Sequence, residues 1–186
     1  MQLYGSYTSP FVRHCRIALL ETELKCDFIE TDAAASAQKS PSKKVPFLHD
    51  GDTQLTDSTS ILKYLREKSG GSYFSDVAAY DVFCLVNTAM DACVNLFFLE
   101  KEGLTPARSD YLKRQQARVD SIFAELEKMP LPHSAPYNDM ELRLGCFLAW
   151  GIYRQRFSLG GYPQLAHFLE TLNNYQPFRD TAPPAL

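Results

Sequence analysis

Little in these 186 residues points to a disulfide framework, a metal centre, a membrane or a nucleic acid. The five cysteines (Cys15, Cys26, Cys84, Cys93, Cys146) are odd in number and widely spaced, with no C-x-x-C pair. That argues against paired disulfides and against a four-cysteine zinc site, and leaves buried thiols in a reducing compartment as the plain reading. The four histidines (His14, His49, His133, His167) show no metal-like spacing, so no metal is expected. A net charge of -3 offers no electrostatic footprint for DNA or RNA. Only local basic clusters, Lys43 with Lys44 and Arg13 with Arg16, could draw in a small anion. The first ten residues lack a basic segment followed by an apolar one, and no apolar run is expected to span a bilayer. Internal repeats and low-complexity tracts are absent. The expectation is a soluble, cytoplasmic protein with neither a nucleic-acid nor a membrane partner. What is present is an ordinary packing composition, 45% hydrophobic and 22% charged.

Two kinds of periodicity divide the chain near residue 75. In residues 1–75, β-like runs at Gln2–Tyr4, Cys26–Glu30, Val45–His49 and Thr53–Leu55 alternate with helical segments. A helix is predicted from Pro10 to about Thr22, since proline suits the first helical position and Val12, Cys15, Leu19 and Leu20 lie along one side. Ala33–Lys39 reads as a short, weak helix. Asp50-Gly51-Asp52 makes a hairpin turn, and Asp57–Lys68 a helix ended by Ser69-Gly70-Gly71. The order β-α-β-α-β-β-α is that of a single-sheet α/β unit. Residues 76–186 read as all-helical. Val77–Glu100 is apolar on most sides, as suits a core helix or one facing a partner subunit. Tyr111–Glu127 is amphipathic, Asn138-Asp139-Met140-Glu141 resembles a capping box, and Pro163–Leu172 is the last clear helix. Thr181–Leu186 is expected to be a loose tail.

The turn Ser9-Pro10-Phe11-Val12 stands where a strand hands over to a helix. Glutaredoxins place Cys-Pro-aromatic-Cys at such a point, but Ser9 and Val12 replace both thiols, so this turn cannot exchange disulfides itself. A serine hydroxyl can instead donate a hydrogen bond to another molecule's thiolate. Lowering a thiol pKa by ~2 from ~8.5 needs about 2.7 kcal/mol, the size of one or two hydrogen bonds plus a helix dipole. Ser9 leads, with Thr8 and Tyr7 as alternatives. The competing reading is that Ser9 only caps the helix.

Two further motifs follow. Lys44-Val45-Pro46-Phe47-Leu48 opens a strand with a proline, which removes a ladder donor. A cis Val45-Pro46 bond would give that proline a purpose, presenting the Val45 backbone to an extended peptide, against an ordinary trans proline. Thr56-Asp57-Ser58 precedes a helix whose N-terminus would suit a carboxylate, with Asp57 taking an adjacent ammonium, against simple capping.

Together these three motifs resemble the N-terminal domain of the glutathione transferase superfamily. The likeness is carried by Ser9-Pro10-Phe11 with Arg16-Ile17-Ala18, by Lys44–Leu48, and by Asp57-Ser58 with Ile61 and Tyr64-Leu65. The C-terminal half resembles the family's helical domain, most clearly in Leu144–Phe157, Tyr162-Pro163 and the tail around Phe178-Arg179 and Pro183-Pro184. The resemblance implies a thioredoxin-like glutathione-binding domain (1–75) followed by an all-helical C-terminal domain (76–186). It implies glutathione as co-substrate, conjugated to a small electrophile of the kind met in detoxification, in a homodimer. By resemblance Ser9 faces the glutathione sulfur as the catalytic residue and Val45 with Pro46 pairs with the cysteinyl backbone. Asp57 and Ser58 hold the γ-glutamyl end, and Lys44 contacts a carboxylate. The short stretch from Asp32 to Lys43 implies a reduced second helix, and Asp57 is one methylene shorter than the usual Glu or Gln. Two rival functions are a non-catalytic adaptor of the stringent-starvation type and a glutathione-dependent disulfide or peroxide reductase.

Other conspicuous residues read as packing. Cys15 is expected to be a buried structural thiol, and Tyr80, Phe83, Met90, Phe97 and Phe98 to be core rather than an electrophile pocket. Arg154 and Arg156 would complement a helix dipole. His14 is expected at the surface.

Overall fold

Four short strands form one sheet in the computed structural model, which describes residues 1–185. Their order is β2 (Asp27–Glu30), β1 (Gln2–Gly5), β3 (Phe47–Asp50), β4 (Thr53–Leu55), with β1–β2 parallel and the other pairs antiparallel. Strand alternation sorts the side chains: Leu3 and its partner Leu48 are fully buried on one face. On the other face Tyr4 stacks on Phe47 at 4.5 Å and Lys39 stands over the Tyr4 ring. The expected strand over Val45–His49 begins only at Phe47, because Pro46 has no N–H to give the ladder. Helices α1 (Pro10–Thr22), α2 (Ala33–Lys39) and α3 (Ser58–Lys68) complete the predicted order. Gly5 ends β1 against Val12 of α1, and a Cβ there would lie 2.5 Å from the Val12 side chain.

The sequence reading of α1 needs correcting on two sides. Leu20, placed on the apolar side, is 48% exposed, and His14, expected at the surface, is completely buried. Arg13 is buried as well. Arg13 is held by a short helix that periodicity did not reveal, α8 (Gln176–Asp180), which packs on α1. The residues from Asn174 onward cluster with Met1–Ser75, and Asp76–Asn173 forms the second compact unit. Thr181, placed in a loose tail, is therefore 1% exposed. Leu186 lies outside the described residues.

The second unit is helical, with α4 (Val77–Lys101), α5 (Asp110–Leu126), α6 (Asp139–Tyr153) and α7 (Pro163–Leu172). Asn138 and Glu141 make the expected capping box reciprocally, at 3.0 and 2.8 Å. Glu127 receives the N–H groups of Gln164 and Leu165 at the start of α7. Gly151 of α6 is where Phe157 folds back, since a Cβ would sit 1.9 Å from that ring. Helix α4 packs on both α5 and α6. It is long and apolar enough by composition to cross a membrane, which corrects the expectation that no run is. Phe83, Met90 and Cys93 of α4 are buried, whereas Tyr80, Cys84 and Phe98 are exposed. Of the aromatic residues read as core, Tyr80 and Phe98 therefore lie outside it. Arg154 and Arg156 stand about the Phe97 ring, and Arg156 pairs with Glu100 at 2.6 Å.

Candidate functional site

Helix α1 begins as the sequence suggests. Ser9 is its N-cap in extended conformation, with Oγ accepting from the Val12 N–H at 3.4 Å and Pro10 at the first helical position. This capping bond uses Ser9 Oγ only as an acceptor. The hydroxyl proton stays available to a further acceptor, so capping and thiolate stabilisation are compatible. Thr8 is differently placed, its Oγ1 lying 3.1 Å from Ser6 Oγ. The Tyr7 ring packs on Phe28 at 4.7 Å, and the Arg16 guanidinium stands 4.7 Å from its centroid.

Helix α3 opens in the same way. Asp57 is the N-cap, with Oδ1 accepting from the Thr59 N–H at 2.8 Å, and Ser58 follows, buried. The other Asp57 oxygen lies 3.8 Å from Lys44 Nζ, both side chains being more than half exposed. Such a pair contributes little to stability, but it marks where a carboxylate and an ammonium already meet. Helix α1 reaches this end of α3, since Cys15, fully buried as expected, directs its Sγ to the Ser58 carbonyl at 4.0 Å.

Val45 precedes a cis peptide bond to Pro46 and is half-buried. Among the described residues its backbone N–H and C=O make no hydrogen bond within the chain. Serines that motif reading overlooked hold its loop: Ser40 and Ser42 hydroxyls lie 2.8 Å apart, and Ser42 reaches the Thr56 carbonyl at 3.4 Å. Their one signal in the sequence is the turn-type cluster Ser40-Pro41-Ser42. This bridge brings Lys44 to Asp57. Helix α2 has only seven residues, as the short Asp32–Lys43 stretch implies.

Four of the chain's five thiols are buried or have a raised pKa, and Cys84, the exposed one, lies on α4. None of the five cysteines forms a disulfide, and Cys15, Cys93 and Cys146 are buried. Burial pushes the Cys93 thiol up to about 11, partly offset by Arg156, and burial also raises Cys26. Thiols so shifted are protonated near neutral pH and are poor nucleophiles. In the helical unit, Cys93, Asp120, Arg156 and Tyr162 line a space of about 40 Å³, room for about one water molecule. Among the described residues no group of three or more His, Cys, Asp or Glu is placed to hold a metal.

Comparison with known proteins follows the same lines. Residues 3–73 match the family described as glutathione S-transferase, N-terminal domain. Glutathione S-transferase Z2 of Arabidopsis thaliana is 23% identical over 205 residues, covering 98% of this chain and 91% of that protein. Among solved structures, a glutathione S-transferase from Methylobacillus flagellatus with glutathione bound superposes with a TM-score of 0.84 at 23% identity. That match covers 98% of this chain and 99% of the other. A glutathione transferase family member from Pseudomonas fluorescens Pf-5, also with bound glutathione, gives 0.85 at 22% identity over 99% of each chain. The sheet unit thus matches the glutathione S-transferase N-terminal domain family by sequence, and the fold across the described residues is that of the similar glutathione transferase structures.

Proposed function

We propose that the chain binds glutathione on its N-terminal unit, holds the sulfur as thiolate beside Ser9, and conjugates it to a small electrophilic molecule. One observation carries this reading. Helices α1 and α3 both start with an oxygen-bearing cap, and Cys15 of α1 meets the α3 N-terminus at the Ser58 carbonyl. On this reading the two positive helix ends serve one extended ligand. Glutathione in the similar structures from Methylobacillus flagellatus and Pseudomonas fluorescens supports the same ligand here.

Each contact has a reason in the residues. The Ser9 hydroxyl donates to the sulfur while its oxygen remains the helix cap. Val45, next to Pro46, offers an unpaired N–H and C=O to the cysteinyl backbone, as an added strand would require. The γ-glutamyl carboxylate takes the α3 N-terminus and the Ser58 hydroxyl, and its ammonium takes Asp57. Lys44, released from Asp57 by that ammonium, turns to a glutathione carboxylate. Thr8 and Tyr7 are second choices for the thiolate, because one hydroxyl already lies against Ser6 and the other residue's ring is engaged by Arg16 and Phe28.

Energetically the task is modest. A charge-assisted hydrogen bond contributes about 1.5–3 kcal/mol and a helix N-terminus about 0.3–1 kcal/mol. Together they cover the ~2.7 kcal/mol that separates a thiol pKa of ~8.5 from one of ~6.5. The residues then act by orientation and charge: they hold the sulfur fixed, and the thiolate attacks the electrophile while the leaving group departs. Homodimer assembly would use the exposed side of α4, where Tyr80, Cys84 and Phe98 lie. Five cysteines outside any disulfide fit a cytoplasmic setting.

A second reading, glutathione-dependent isomerisation, draws on one of the similar structures, a maleyl pyruvate isomerase described as a bacterial glutathione S-transferase in zeta class. Both readings need the same thiolate. The thiolate absorbance of bound glutathione, followed against pH, tests it. Wild type is expected to titrate well below ~8.5 and Ser9→Ala about one pH unit or more higher than wild type. An unchanged profile in Ser9→Ala would take Ser9 out of the mechanism.

A further inference from the structure

The helix that carries Ser9 is gripped along its length by the last turn of the chain. Arg13, one turn beyond Ser9, is 5% exposed. Its guanidinium lies 3.7 Å from the centroid of the Phe178 ring, and its Nη2 donates to the Phe178 carbonyl at 2.7 Å. Its Nε donates to Thr181 Oγ1 at 3.5 Å. A turn further on, Arg16 donates from Nη1 to the Thr181 carbonyl at 3.1 Å while standing over the Tyr7 ring. Near the end of α1, Glu21 accepts from the Tyr175 hydroxyl at 2.7 Å and also pairs with Arg66 of α3.

Packing alone gives no reason for this choice of residues. Burying a guanidinium is costly, and an apolar side chain of similar volume would cover Phe178 at lower cost. What the arginines add is direction: two planar guanidinium groups, Arg13 bonded to the Phe178 carbonyl and the Thr181 hydroxyl and Arg16 to the Thr181 carbonyl, restrict the rotation and height of α1 against the strap. Arg16 also touches the 5–9 turn directly through Tyr7. Through Glu21 and Arg66 the same segment is tied to α3, the helix that Asp57 caps.

We propose that residues 175–181 form a positioning strap for the thiolate site, with Arg13 and Arg16 as its positioning residues. The strap sets where the N-terminus of α1, and so Ser9 Oγ, stands relative to the N-terminus of α3. This rests on the glutathione reading above. The strap's effect falls on the sulfur more than on affinity, because the proposed peptide and γ-glutamyl contacts come from Val45, Asp57 and Ser58, outside α1. A hydrogen bond to the thiolate weakens steeply as its length and angle depart from the optimum.

The test uses the full chain. Glutathione affinity and the pH titration of the bound thiol are measured for wild type, Arg16→Met, Arg16→Lys and Tyr175→Phe. A control, Leu172→Ala in the helical unit, supplies loss of stability without touching the strap. Arg16→Met is expected to raise the bound thiol's pKa by about half a pH unit or more while affinity changes less than about threefold. Arg16→Lys restores part of the shift, Tyr175→Phe gives a smaller one, and Leu172→Ala gives none. If Arg16→Met does not fold, Arg16→Lys and Tyr175→Phe decide the matter by the same readout. Strap variants that bind glutathione with the wild-type pKa, or a control that shifts it equally, overturn the proposal. A wild type that does not bind glutathione removes the underlying reading and the strap proposal with it.

Discussion

The two units use the same capping chemistry to different ends. In the helical unit three sets of polar groups at helix ends close on one another, Asn138 with Glu141, Glu127 with the N–H groups of Gln164 and Leu165, and Arg156 with Glu100, while Ser109 caps α5 through Oγ alone. In the sheet unit the caps leave capacity over. Ser9 keeps a donor proton, Asp57 keeps an oxygen that an exposed lysine approaches, and among the described residues Val45 keeps its backbone pair. A cap that is closed stabilises a helix. A cap with an unused donor or acceptor at an accessible helix end does that and can also hold a ligand.

The sharpest way to break this comparison is through the two close-approach glycines. Gly151→Ala drives a methyl into the Phe157 ring, with an ideal contact of 1.9 Å. It should cost the helical unit on the order of 3 kcal/mol, at the upper end for overpacking, read as a lower denaturant midpoint. Gly5→Ala presses instead on Val12 at 2.5 Å. Its stability cost should be smaller, about 1–2 kcal/mol, but it displaces α1 and so weakens thiolate stabilisation, which the bound thiol's titration reads. Equal effects of both on that titration would mean that the two units do not divide the work as described.

A smaller effect sharpens the electrostatic side. Asp50, at the β3–β4 turn, accepts from the Tyr64 hydroxyl at 2.7 Å and pairs with Lys68 at 2.9 Å. Those two partners hold its carboxyl below the usual range. A carboxylate whose folded pKa is depressed stabilises the fold above its ordinary pKa and loses that contribution as pH falls through the folded value. Acidification below about pH 4 should therefore destabilise wild type more than Asp50→Asn, with the two converging at lower pH. Because the pair is partly solvated the difference should be slight, and parallel acid profiles would remove Asp50 from the account.

Much of this was legible in the sequence where the signal is local. Pro10 after Ser9, Asp57 ahead of an apolar helix face, and Asn138 three residues before Glu141 each announce a helix start that the structure contains. The seven-residue α2 follows from the short stretch before Lys43. What the sequence hid is long-range. The burial of Arg13 is illegible because the segment that holds it arrives some 165 residues later, in a five-residue helix too short to show periodicity. Lys44 and Asp57 carry a motif each, but their meeting depends on the Ser40–Ser42 bridge to Thr56, a loop contact with no period at all. In α4, composition alone could not tell a core helix from a membrane span or a subunit face, since all three are apolar.

The most direct test of the central claim is a calorimetric titration of the wild-type chain and of Ser58→Ala with glutathione. The account predicts saturable binding of one glutathione per chain. It also predicts roughly tenfold weaker binding by Ser58→Ala, the loss of one charge-assisted hydrogen bond at about 1.4 kcal/mol. No binding by wild type, or equal binding by the variant, would contradict it.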